Sequence, residues 1–137
     1  MHFVMKKDFE IPKVEHVAVA IMKEAERDDD EWGVYLINLK DVALRNVFIT
    51  STGYGEIDGE RRQTSTLRHY FENLAPNTAI KVEPIMDFAF GLSNEFWVSF
   101  YIGEQVYDKQ FVFLPETIKP ANFTLVPVLE RKGVMIG

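Results

Sequence analysis

The 137-residue chain contains no cysteine. A disulfide framework, a thiol nucleophile and a thiolate metal site are therefore excluded. Histidine is scarce. His2, His16 and His69 are the only three, and no two stand at a metal-ligand spacing such as i, i+2 or i, i+4. No apolar run approaches the ~20 residues that span a bilayer. No apolar segment follows the two lysines of "MHFVMKKDFE", as one would in a signal peptide. Basic charge is in deficit, with 15 Lys and Arg against 21 Asp and Glu, a net charge of -6 and a pI near 5.1. A dedicated duplex-DNA binder shows the opposite balance. Neither nucleic acid nor a membrane is an expected partner, and the expected location is the cytoplasm.

Several catalytic motifs are missing as well. There is no G-x-S-x-G elbow and no H-E-x-x-H. A P-loop needs a lysine after its last glycine, and here Gly59 is followed by Glu60. Gly53, Gly55 and Gly59 do not have the spacing of a dinucleotide loop. Asp28, Asp29 and Asp30 are adjacent, so they cannot all converge on one ion; they read as a solvated turn. No catalytic residue, cofactor or metal site is assigned from these patterns, and no nucleotide-hydrolysing activity is expected.

What the chain does have is apolar and aromatic content. Hydrophobic residues make up 47%, and aromatics 13%, with Phe the commonest at eleven. That suffices for one core in one domain. Residues 1–12 read as an N-terminal arm ending at Pro12, and 13–137 as the domain. Alternation of apolar residues predicts strands. In "VEHVAVAIM", Val14, His16, Ala18 and Ala20 face one way and Val17, Val19 and Ile21 the other. "WGVYLIN" puts Trp32, Val34, Leu36 and Asn38 on one face. "VALRNVFITSTG", "TSTLRHYFENL" and "TAIKVEPI" follow, with a turn at Pro76-Asn77. "MDFAFGLSNE" reads as irregular or one helical turn. The clearest unit is "EFWVSFYIGEQVYDKQFVFLP", where Phe96, Val98, Phe100 and Ile102 share an inward face and Gly103-Glu104 has the Gly-X form of a type II′ hairpin turn. "NFTLVPVLE" is an edge or bulged strand, since Pro127 interrupts its ladder, and "GVMIG" adds a last pairing. Seven or eight short strands without a long helical period predict an all-β antiparallel sandwich.

Two stretches carry resemblances. "YLINLKDVALRNVFIT" followed by "LRHYFENLAPNTAIKVEPI" resembles the immunoglobulin-like sandwiches of bacterial and arrestin-type modules. There a strand ends at an Asn, a short polar turn follows, and the next strand carries a Leu-x-x-Val pair. This likeness implies an immunoglobulin-like fold and no particular activity. "GYGEIDGERR" resembles a degenerate third signature motif of class II aminoacyl-tRNA synthetases, in which the arginine holds ATP phosphates. Only Arg61, preceded by Glu60, matches that role. The glycine spacing departs from the motif, and the facing-strand motif with Arg and Glu is not found. The chain is also similar to a group of small bacterial proteins labelled phenylalanyl-tRNA synthetase subunits, which implies a link to tRNA aminoacylation.

Two surfaces are candidates for function. Arg61, Arg62, Arg68 and His69 surround a hydroxyl-rich run and suit a phosphate or carboxylate. Trp97 and Tyr101, out of phase with the inward face of the hairpin, suit an interface. The leading expectation is a non-enzymatic module acting through protein contacts, as a homodimer on Trp97 and Tyr101. The alternative is an RNA- or anion-associated protein that uses the 61–69 surface.

Overall fold

The computed structural model describes residues 12–24 and 31–137. The N-terminal arm up to residue 11 and the Asp28–Asp30 segment lie outside the described residues. Among the described residues, ten strands form two antiparallel five-stranded sheets. The strands are β1 (Val17–Lys23), β2 (Trp32–Asn38), β3 (Leu44–Ile57), β4 (Glu60–Gln63), β5 (Leu67–Leu74), β6 (Thr78–Ile85), β7 (Ser93–Ile102), β8 (Gln105–Phe113), β9 (Thr124–Val126) and β10 (Arg131–Ile136). The first sheet has the order β6-β2-β1-β10-β9. The second runs β4-β3-β7-β8, with β5 pairing β3 on the same edge as β4. The expected all-β sandwich is therefore present. The described residues form ten strands because "GYGEIDGERRQ" makes a hairpin of its own, while "TLV" and "RKGVMI" are two short strands paired with each other.

The alternation read from the hairpin holds. Phe96, Val98 and Phe100 are buried and Ile102 packs against them, while Trp97 and Tyr101 point outward. Gly103 has φ 60 and Glu104 does not, as a type II′ turn requires. Pro127 stops β9 at Val126, on the edge of the first sheet. "DFAFG" forms a 3-10 turn over Asp87–Gly91.

One assignment needs correction. Val14 belongs to the core between the sheets with Val17, Val19 and Ile21, and not with Ala18 and Ala20. His16 takes a left-handed φ of 61, which breaks the strand phase before β1 begins. His16 itself is exposed, and its carbonyl accepts Leu39 N–H at 2.8 Å. Ala18, Ala20 and Met22 face away from the main core and are covered with Val126 and Leu129 from the β9–β10 segment.

The main core joins both sheets. Val34 and Leu36 of β2 meet Val47 and Ile49 of β3 and the phenylalanines of β7 and β8. Phe96 meets Phe113 edge-on at 5.9 Å, and Phe100 stacks on Tyr107 at 5.3 Å. Trp32 closes one end between Phe90 and Phe123.

Asn38 is fully buried at the end of β2. Its Nδ2 donates to the carbonyls of Val42 at 2.9 Å, Ala75 at 3.1 Å and Leu74 at 3.2 Å. Its Oδ1 accepts Lys40 N–H at 3.0 Å. Val42 lies in the β2–β3 connection and Ala75 in the β5–β6 connection, so one amide ties two sheet-to-sheet crossovers. Asn77 N–H adds a bond to the Lys40 carbonyl at 3.2 Å.

Two stability measurements check this packing. Phe100→Ala should cost roughly 3–5 kcal/mol in urea unfolding, the usual range for a buried phenylalanine; a loss below about 1 kcal/mol would mean that the core is wrongly assigned. Asn38→Ala should cost about 2–3 kcal/mol, because it leaves buried carbonyls without a donor. A near-neutral result would show that the crossovers are held by other contacts.

Candidate functional site

The basic run does not form one surface. Asp58 and Gly59 both have positive φ, 53 and 80, the pattern of a type I′ Asp-Gly turn. They join β3 to β4 with Glu56 opposite Arg61 and Gly55 opposite Arg62. Residues alternate in face along a strand, so Arg61 and Arg62 point to opposite sides of the sheet. The same rule separates Arg68 from His69 on β5. Arg68 stands beside Thr50 on the outer face, whereas His69 stands beside buried Ile49 on the inner one. Arg62 pairs with Glu60 at 3.0 Å in an exposed bridge.

The outer face of the second sheet gathers four of the exposed aromatics, Phe48, Tyr70, Trp97 and Tyr101. Register places Arg68, Thr50, Trp97 and Gln110 in one row across four strands. Tyr70, Phe48, Ser99 and Asp108 form the next, and Arg45, Tyr101 and Val106 the third. Phe48 and Tyr70 are each 51% exposed, Trp97 45% and Tyr101 38%. Phe48 and Tyr70 touch at 4.9 Å between ring centroids. The Tyr70 hydroxyl donates to Asn46 Oδ1 at 2.7 Å, and the Trp97 indole N–H donates to Asp108. Asn46 has φ 48 at a register shift between Arg45 and Phe48, a β-bulge that keeps Arg45 and Phe48 both outward. Sequence reading reached Trp97 and Tyr101 by their phase, but Phe48 was read only as part of a strand.

The inner face holds a polar group that strand alternation does not foresee. Regular alternation along β6 would send Glu83 outward. Register shifts between Val34 and Tyr35, so that Val34 faces Glu83 while Tyr35 faces Lys81. Val82 is the extra residue of this bulge, and Glu83 turns inward beside Val34. Its side chain is only 10% exposed. Ser51 Oγ donates to Glu83 Oε1 at 2.7 Å, and His69 Nε2 meets the same oxygen at 2.7 Å. Three strands from both sheets thus meet at one carboxylate oxygen. This is not a hydrolytic triad, in which the histidine stands between hydroxyl and carboxylate. Here Ser51 and His69 both converge on the acid, and no imidazole bonds Ser51.

Beside this cluster lies a cleft of about 220 Å³ between the β4–β5 connection and the segment that follows β6. Glu83 and Asn94 line it, with Leu67, Met86 and Phe88 among its apolar walls. Among the described residues no group of three or more His, Asp or Glu is placed to hold a metal, and no helix is long and apolar enough to cross a membrane.

No protein-family model matches the chain, and searches of curated proteins and of solved structures return no significant match. Function is therefore read from the geometry.

A second polar cluster, on the face of the first sheet turned away from the main core, is structural in character. The Tyr35 hydroxyl donates to Glu24 at 2.9 Å, Lys81 pairs with Glu24 at 3.1 Å, and Arg131 donates to the Glu24 carbonyl at 2.9 Å. Burial raises the Tyr35 pKa above its ordinary value, and the hydrogen bond to Glu24 adds to this, partly offset by Arg131. A raised folded-state pKa means that the folded chain holds the phenolic proton after the unfolded chain has lost it. This contribution is complete below pH ~10 and is lost as pH rises through the folded value. Tyr35→Phe should therefore flatten the alkaline fall of stability, measured by urea unfolding between about pH 9 and 11. An unchanged slope would exclude Tyr35 as its source.

Proposed function

We propose that this protein is a non-enzymatic module that acts through protein contacts, with a second copy of itself as partner. The observation that carries this reading is the run of exposed aromatics Phe48, Tyr70, Trp97 and Tyr101 on one sheet face. Contiguous exposed apolar surface of this kind marks an interaction site. Trp and Tyr are the side chains best able to anchor an interface. The face also carries both signs of charge, with Arg45 and Arg68 near Asp108 and Glu95. A twofold contact matches a patch to itself, so a face with both signs can satisfy itself where a face of one sign repels its copy.

The reading includes an immunoglobulin-like class. It is supported by the wiring of β1, β2 and β6 in one sheet against β5, β3, β7 and β8 in the other, with β9 and β10 added beyond β1. It includes a cytoplasmic location, which a cysteine-free chain fits. Arg61 and Arg68 flank the aromatic face, and stacked bases beside arginines are how single-stranded nucleic acid binds. That arrangement supports the RNA- or anion-associated reading as the second choice.

Light scattering separates the two. The native chain should have the mass of a dimer, insensitive to salt, and Trp97→Glu with Tyr101→Glu that of a monomer. A native chain that is monomeric at high micromolar concentration overturns the dimer. Binding of a single-stranded oligonucleotide that weakens steeply with salt would favour the second reading.

A further inference from the structure

We propose that the cleft beside Glu83 binds a small amphiphilic amine, with its ammonium group on the Glu83 carboxylate and its apolar arm under Phe88. The argument begins with an oxygen count. Ser51 and His69 both bond Glu83 Oε1, and among the described residues nothing donates to Oε2. No polar side-chain atom there is both fully buried and unpaired. Oε2 must therefore reach open space, and Glu83 is otherwise nine-tenths buried and borders the cleft. The same reasoning applies to Asn94. Its Nδ2 is taken by the carbonyls of Ala89 at 2.8 Å and Leu92 at 3.2 Å, and its Oδ1 accepts no bond among the described residues.

The cleft thus offers acceptors. Of its hydroxyls, Ser51 donates to Glu83, Thr52 pairs with Thr66 at 3.1 Å, and Thr64 Oγ1 accepts Gly53 N–H at 2.8 Å and donates to the Ser65 carbonyl at 3.1 Å; the Ser65 hydroxyl can turn a lone pair to an ammonium. A carboxylate is acceptor-only, and an ammonium is donor-only. A carboxylate largely removed from water gains most from a cationic donor. An anion would meet the Glu83 charge with no Lys, Arg or His among the lining residues to offset it.

The apolar requirement comes from the walls. Phe88 is 61% exposed and Met86 66%, each presenting carbon at the mouth. The cleft shares Thr64, Ser65 and Phe88 with an adjoining groove of about 410 Å³ that runs past Ile57 and Leu92. A ligand fixed at Glu83 has room there for a short hydrocarbon chain. Volumes of this size suit a small molecule.

The test uses the full chain and three probes with the same arm: n-hexylammonium, n-hexanol and n-hexanoate. Binding is followed by titration calorimetry and by amide chemical shifts, near neutral pH, where an alkylamine with a pKa of about 10 is protonated. Hexylammonium should saturate, hexanol should bind at least tenfold more weakly, and hexanoate should not bind. Glu83→Gln keeps the shape and removes the charge, and should weaken hexylammonium at least tenfold. Phe88→Ala changes an exposed side chain with little risk to folding, and should weaken hexylammonium while leaving methylammonium unaffected. Circular dichroism checks that both variants fold. The proposal is overturned if hexylammonium fails to saturate, if hexanol binds equally well, or if amide shifts on binding map away from residues 64–67 and 83–96. It is also overturned if hexylammonium binds Phe88→Ala as tightly as the native chain.

Discussion

The arrangement of the two sheets depends on the amide of Asn38. A sandwich built from consecutive strands must pass the chain from one sheet to the other, and each passage strips backbone groups of their ladder partners. Such groups, once buried, need a replacement partner. The β2–β3 and β5–β6 connections run side by side, and Asn38 supplies donors to carbonyls in or beside both. No apolar side chain of that volume can do this. The same residue closes β2, since its Oδ1 takes the N–H of Lys40 and ends the strand in a turn. With these passages fixed, β3 is delivered opposite β2, and their apolar faces meet to form the core.

Both surfaces with a functional reading owe their chemistry to departures from regular strand geometry. The bulge at Asn46 holds Phe48 outward beside Tyr70 and leaves Leu44 and Val47 buried. The bulge at Val82 brings Glu83 inward to Ser51 and His69. In each case one extra residue changes which side of the sheet a side chain occupies, at the cost of a local ladder break. The outer face gains a patch of aromatic carbon and the inner face an acid. The two lie on opposite sides of the second sheet, so a partner on the outer face leaves the cleft unobstructed.

Much of this was legible from periodicity. Period two located the strands, and the apolar phase of Phe96, Val98, Phe100 and Ile102 identified the inner face, because burial on one side imposes that alternation. The Gly103-Glu104 turn was legible from glycine's access to positive φ. What escaped were the points where the phase breaks. Asn46 and His16 belong to the residue types that enter the left-handed region more readily than most, but far less often than glycine, so their identity is a weak signal; nothing in Val82 announces a bulge, and Pro84, which lacks a ladder donor, is the nearest hint at Glu83. The basic run from Arg61 to His69 looked continuous because sequence proximity hides the alternation of faces. Asp58-Gly59 is the strongest hairpin signal in that stretch, and the turn it forms reverses the chain between β3 and β4. The convergence of Ser51, His69 and Glu83 draws on three strands from two sheets, and no local pattern encodes it.

The length of β3 has a dynamic consequence. Its first eleven residues are flanked by β5 or β7, but β7 pairs no further than Tyr54, and beyond that β4 is its only ladder partner among the described residues, with Gly55 resting against Leu92. The tip from Gly55 to Arg62 is therefore a two-stranded ribbon projecting from a packed sheet. Elements with so few partners open at a free-energy cost well below that of global unfolding. The seam between Gly53 and Thr64, closed by two hydrogen bonds of 2.8 Å, marks where such opening stops. Amide hydrogen exchange should fall into two classes along a single strand, fast beyond Gly55 and slow before Thr52. The ribbon also carries Ile57 and Arg62, part of the groove wall. Its fraying would widen the entrance while the carboxylate at the inner end stays fixed in the rigid part of the sandwich.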